Sequence, residues 1–139
     1  SISHDATDPA GFTVEHRGRK IGLATDLGIA TNLVKQHLMD CHLLYLEANH
    51  DPEMLTNGPY PWHLKQRIRS RTGHLSNVEA SKLVSELRNQ YLEHVILAHL
   101  SEENNLPEKA AFEVGRRLNG SGIGLSVAGP DKPGRMIRV

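Results

Sequence analysis

The sequence predicts an α/β layer architecture, a mixed sheet with helices packed on it, and three observations carry that expectation. Short apolar segments of strand length alternate with segments whose apolar residues recur at helical spacing. Several of the strand-like segments end on a charged or polar residue, where layered α/β proteins place their ligands. The length of 139 residues suits a single domain, 1–139, able to bury roughly two thirds of the surface of its unfolded chain.

The elements follow in order. Phe12–His16 alternates as a strand, Arg17-Gly18-Arg19 turns the chain, and Lys20–Thr25 resumes, so the pair reads as a hairpin ending at Asp26-Leu27-Gly28. Thr31 is placed to cap a helix through Leu33, Val34, Leu38 and Met39, closed at Cys41. His42–Glu47 is an apolar run of buried-strand length, followed by the loop Ala48-Asn49-His50-Asp51-Pro52. Pro52 opens a short helix through Leu55 that Asn57-Gly58-Pro59 stops, and Trp62–Arg71 is a basic helix with Leu64 and Ile68 at i, i+4. Ser76-Asn77-Val78-Glu79 is a capping box ahead of an apolar face of Ala80, Leu83, Val84 and Leu87. His94–Ala98 is a buried strand that delivers His99 at its carboxyl end. Asn105 caps the last helix, Ala110, Ala111, Val114 and Leu118 face the core, and strands at Leu125–Val127 and Met136–Val139 complete the chain.

Composition narrows the function classes. Sixteen Lys+Arg balance sixteen Asp+Glu, so any contact with nucleic acid must come from a local patch and not from a global basic field. The lone Cys41 excludes a disulfide framework within the chain and a zinc site built of Cys alone. No apolar run approaches the ~20 residues of a membrane span, and Ser1–Asp5 shows neither a basic nor an apolar leader pattern; the expected location is the cytoplasm. The chain opens without Met, in what reads as the middle of a strand, and is expected to be a fragment or processed piece.

Nine His draw attention to metal or acid/base chemistry. Asp26, Glu47 and His99 each stand at or just after the end of a strand; His4 precedes the hairpin and His74 precedes the capping box. Neutral imidazole and carboxylate together suit a hydrolytic Zn²⁺ or Mn²⁺. Each residue also has a plainer reading. Asp before Gly at a strand end is a common turn residue, His74 can serve as a helix-start residue, and Arg67, Arg69 and Arg71 read as a solvated helix face before they read as a nucleic-acid patch. His16, His37, His42, His63 and His94 lie on faces without a polar cluster.

Five segments carry a family resemblance: His4–Phe12, Ala24–Gly28, Leu46–Leu55, Gly73–Asn77 and Leu97–Asn105. On these the chain resembles the metallo-β-lactamase fold hydrolases, most closely the YycJ/WalJ-type bacterial proteins, and more distantly the tRNA 3′-processing endonucleases. The resemblance implies a four-layer αββα fold of which this chain supplies the carboxyl-terminal half, because the His-x-His-x-Asp-His motif that provides further ligands does not occur in these residues. It implies that His4, Asp26 and His99 bind metal, with Asp26 bridging two divalent ions, Zn²⁺ or Mn²⁺. His74 would act at the scissile phosphate or leaving group, with Glu47 as its orienting partner, making Asp26, Glu47 and His74 the catalytic set. Asn49, His50, Ser76, Asn104 and Asn105 would bind substrate. The implied activity is that of a phosphodiesterase or nuclease, DNA 5′-exonuclease-like, acting on nucleic acid with DNA favoured. The implied partner is the amino-terminal half of the same fold, or a second copy. Hydrolysis of a small ester or cyclic phosphate, and a non-catalytic fragment, are the alternatives.

Overall fold

A computed structural model describes residues 1–139. Ten elements follow in the predicted order: β1 (Phe12–His16), β2 (Arg19–Ala24), α1 (Asn32–Leu38), β3 (Leu43–Glu47), α2 (Pro52–Asn57), α3 (Trp62–Ile68), α4 (Asn77–Leu87), β4 (His94–Ala98), α5 (Pro107–Leu118) and β5 (Gly124–Val127). The strands form one mixed sheet in the order β1-β2-β3-β4-β5, with β1 antiparallel to β2 and the remaining pairs parallel. Each parallel crossover runs to the adjacent strand in the same direction. Right-handed connections of that kind place their helices on one face.

That face holds the core. Leu44, Leu46, Val95 and Leu97 from the sheet pack with Val34 and Leu38 of α1, Leu83, Val84 and Leu87 of α4, and Ala110, Val114 and Leu118 of α5. The capping box forms as expected, Ser76 accepting from Glu79 N–H while the Glu79 carboxylate accepts from Ser76 N–H. The opposite face carries Ile21, Leu23, Tyr45 and Ile96, all partly exposed, and no helix packs on it. On its edge strand Phe12 and Val14 are largely exposed. The architecture is thus one sheet and one helical layer, and no second sheet is present in these residues. No helix is long and apolar enough to cross a membrane.

Three local expectations are corrected. Met136–Val139 forms no strand, since it finds no partner and a strand exists only through pairing. The basic helix ends at Ile68, not Arg71. Leu106, not Asn105, occupies the N-cap of α5, because the Asn105 side chain is drawn inward to Ala48 O and Asn77.

Candidate metal centre

The site follows from strand register. Ala24, Leu46 and Leu97 lie in one row across β2, β3 and β4. Asp26 and His99 each stand two residues past that row and Glu47 one past it, so parallel pairing delivers all three to one rim. Asp26 and His99 both have φ of 55°, the left-handed region, which turns the chain sharply as it leaves each strand.

His74 arrives by a different route. A Cβ on Gly28 would lie 2.3 Å from Arg71 O, and one on Gly73 would lie 2.2 Å from Ile68 O. Only glycine permits these backbone approaches: at Gly28 the turn after α3 is pressed against Asp26-Leu27-Gly28, and at Gly73 the turn closes on the end of α3. Residues 3–5 hold that turn from the other side: Ser3 Oγ donates to Arg71 O and Asp5 N–H to Thr72 O.

Glu47 organises the centre. It is fully buried, and its Oε2 accepts from Leu27 N–H at 2.8 Å and Leu75 N–H at 3.2 Å. Its Oε1 accepts from His99 Nδ1 at 2.6 Å and His74 Nδ1 at 2.8 Å. Burial opposes ionisation of the carboxyl, but the hydrogen bonds from His74, His99 and Leu27 outweigh it and hold the pKa down at about 2. The same bond raises His99 above the usual imidazole range, against its partial desolvation. The expected Glu47–His74 bond is therefore present; the equal bond to His99 was not legible from spacing.

Three imidazoles surround Asp26. Its Oδ1 lies 3.7 Å from His4 Nε2, 3.7 Å from His99 Nδ1 and 3.9 Å from His74 Nδ1. His4 Nδ1 lies 3.0 Å from Gly73 O; a carbonyl only accepts, so Nδ1 carries the proton and Nε2 is left as a lone-pair donor. The Glu47 carboxylate imposes the same tautomer on neutral His74 and His99. An imidazole with Nδ1–H tied to oxygen and Nε2 free is the usual preparation of a metal ligand. Ligand atoms of Asp26, Glu47, His74 and His99 lie within 4.8 Å of one another, a group of carboxylates and imidazoles that could bind a metal ion, and His4 stands just outside it. His74, assigned to the substrate side by the sequence, sits in this group on the same footing as His99.

The centre opens into a cavity of about 570 Å³ whose walls include His4, Asp26, His74 and His99. Asn49 also lines it, and its Nδ2 donates to His99 O at 2.9 Å. The other residues expected to bind substrate lie behind the wall. His50 is buried, and burial pushes its imidazole down to about 4. Ser76 is the cap of α4. Asn105 donates to Ala48 O and pairs with Asn77, and Asn104 is fully buried, its N–H directed to Ser101 Oγ. Of these side chains, Asn105 cross-links the loops that follow β3 and β4, through Ala48 O and Asn49 O. Glu47 likewise does not line the cavity; it acts on the site through the imidazoles. Spacing gave no warning of Asp5 and Tyr60, which do line it, and of the three arginines weighed as a solvated face or nucleic-acid patch Arg67 lines it too.

No family model matches the chain. Among curated proteins it is 36% identical over 127 residues to exodeoxyribonuclease YycJ of Bacillus anthracis, covering 91% of this chain and 48% of that protein. It is 33% identical over 126 residues to exodeoxyribonuclease WalJ of Streptococcus pneumoniae, covering 91% and 47%. The chain is therefore a homologue of the YycJ/WalJ exodeoxyribonucleases over nearly all its residues, and it spans about half the length of the curated relatives it matches.

Proposed function

We propose that these residues supply part of the active site of a metal-dependent phosphodiesterase that acts on DNA, and that they form the carboxyl-terminal half of a four-layer metallo-β-lactamase fold. The observation that carries the reading is the disposition of His4, His74 and His99 around Asp26, each with Nδ1 bound to an oxygen acceptor and Nε2 left free. The relatives' description as exodeoxyribonucleases supports the substrate class.

His4, Asp26 and His99 would hold the metal, with further ligands from a segment outside these residues. When bound, a pair of divalent cations, zinc or manganese, supplies positive charge to the phosphoryl oxygens and makes water a nucleophile at neutral pH. Asp26, whose Oδ1 lies within 4 Å of all three imidazole rings, is the carboxylate that would hold the metal beside them. Glu47 is a positioning residue: it keeps the proton on Nδ1 of His74 and His99 and so directs both Nε2 atoms away from itself. His74, when protonated, holds a proton at Nε2 for the leaving oxygen.

The test is metal analysis and hydrolysis of labelled DNA by the intact protein, with and without a chelator. Chelation is expected to abolish cleavage, and Asp26→Ala to lose metal and turnover together. His74→Ala is expected to lower turnover about 100-fold or more while metal content stays; proportional loss of both would make His74 a ligand. Hydrolysis that resists chelation, or turnover of a small ester or cyclic phosphate with no action on DNA, overturns the reading.

A further inference from the structure

The cavity in front of Asp26 has two unlike walls. On one side α3 presents Leu64, Arg67 and Ile68 at helical spacing, with Tyr60 just before the helix; on the other stand Glu102 and Glu103. Arg67 is the one Lys or Arg that lines the cavity. Its basic neighbours are committed to the fold. Lys65 Nζ donates to Thr56 O at 2.8 Å and Gly58 O at 2.7 Å, and Arg69 donates to Pro52 O and the Thr56 hydroxyl. Lys65 and Arg69 thus pin α3 to α2 and leave Arg67 facing the cavity.

Arg67 is also held in register with the metal donors. Its Nε donates to Asp5 Oδ2 at 2.5 Å, and Asp5 Oδ1 lies 3.5 Å from His4 Nε2. Only that one guanidinium donor is used, so most of the fork is open to a ligand.

We propose that the α3 wall is a nucleotide subsite for single-stranded DNA: Arg67 takes the phosphate next to the one cleaved, and Tyr60, with Leu64 and Ile68, takes an unstacked base. The proposal rests on the phosphodiesterase reading of the metal centre. Glu102 and Glu103 make the far wall acidic while Arg67, with Asp5 taking one of its N–H groups, keeps its remaining donors on the α3 side, so an incoming phosphodiester is repelled by the far wall and drawn to α3. A guanidinium matches phosphate oxygens in geometry as well as charge. The remainder of the wall is apolar with one aromatic ring, the surface that stacks a base while tolerating any sequence. In a duplex the faces of the bases are already stacked, so the wall suits a single strand.

The experiment is anisotropy binding of a labelled, cleavage-resistant phosphorothioate oligonucleotide to the intact, metal-loaded protein at several salt concentrations. Arg67→Ala is expected to weaken binding about ten-fold or more and to reduce the slope of log K against log salt by about 0.7, the signature of one lost phosphate contact to a single strand. Lys82→Ala, on the exposed side of α4, should leave that slope unchanged. Tyr60→Ala is expected to lose about five- to 150-fold on a normal strand and nothing on an abasic strand of the same length, with Tyr60→Phe restoring affinity. A wild-type slope in Arg67→Ala, equal losses on normal and abasic strands in Tyr60→Ala, or tighter binding of duplex than of single strand overturns the subsite. If the wild-type protein cleaves DNA while these variants bind normally, the subsite alone fails; if it neither binds nor cleaves DNA, the phosphodiesterase reading fails with it.

Discussion

Asp26 and His99 occupy a backbone region that costs a side-chain-bearing residue roughly 1–2 kcal/mol, and both are placed there by the turn that aims them at the centre. The cost is separable from the chemistry. His99→Gly is expected to be about 1 kcal/mol more stable to urea than His99→Ala, though both lose the imidazole, because glycine adopts this φ freely. His50 gives a second prediction. Burial lowers its imidazole from the ordinary 6.5 to about 4, so the folded protein resists a proton that the unfolded chain accepts. This contribution is complete above pH 6.5 and is lost as the pH falls toward 4, a decline of about 3 kcal/mol. Glu47, held at about 2, adds a loss in the same direction only below its ordinary 4.5. Urea unfolding from pH 7 to pH 4 should show the first decline, and His50→Leu should flatten it; an unchanged slope in that variant would assign the decline elsewhere.

At the scale of elements, the site depends on how tightly the turn after α3 closes on the end of that helix, and Gly73 permits that closure. A methyl group there would meet the carbonyls of Ile68 and Arg67 at 2.2 and 2.3 Å, contacts that backbone cannot yield cheaply. Gly73→Ala is therefore expected to cost about 1–3 kcal/mol and to reduce metal content as well, since the anchor of the ligand His4 on Gly73 O shifts. Leu97→Ala, a core substitution one row from the rim, should cost about 2–5 kcal/mol. Its effect on the metal should be smaller for each kcal/mol lost. Calorimetric unfolding alongside metal titration separates the two; equal metal loss per unit of stability would show that the turn has no special role. The capping box of α4 was readable because Ser76 and Glu79 are three residues apart and both bonds are local. The cap of α5 was misread because Asn105 bonds across 57 residues to Ala48 O, a partner that sequence neighbours do not reveal.

For the whole molecule, the face of the sheet opposite α1, α4 and α5 is the main consequence of its layering. Phe12, Val14, Ile21, Leu23, Tyr45 and Ile96 share it; residues 132–135 and 137 border it beside Tyr45 and Ile96, and no helix packs on it. Contiguous apolar surface of that kind is rare on soluble monomers. Residues 1–139 alone are expected to self-associate or to bind a separate amino-terminal half, to hold metal weakly and to show no appreciable hydrolysis of a phosphodiester. Sedimentation and metal titration on this 139-residue chain decide the matter. A monomer that holds two metal ions tightly and cleaves DNA would remove the half-fold proposal.

The sequence by itself determined the order of strands and helices up to β5, the apolar face of α4 and, apart from the half-buried Ala111, that of α5, and the placement of Asp26, Glu47 and His99 at strand ends, because periodicity, caps and turn residues act over a few positions. Tertiary structure alone decided that the Glu47 oxygen paired with His74 would also bind His99, 52 residues away. It also decided that Arg67 would reach Asp5 across 62 residues while Lys65 and Arg69 on the same helix turned to α2. These choices follow from strand register and from the close backbone approaches at Gly28 and Gly73. Such contacts form only once distant segments have packed, and no local pattern in the chain encodes their geometry.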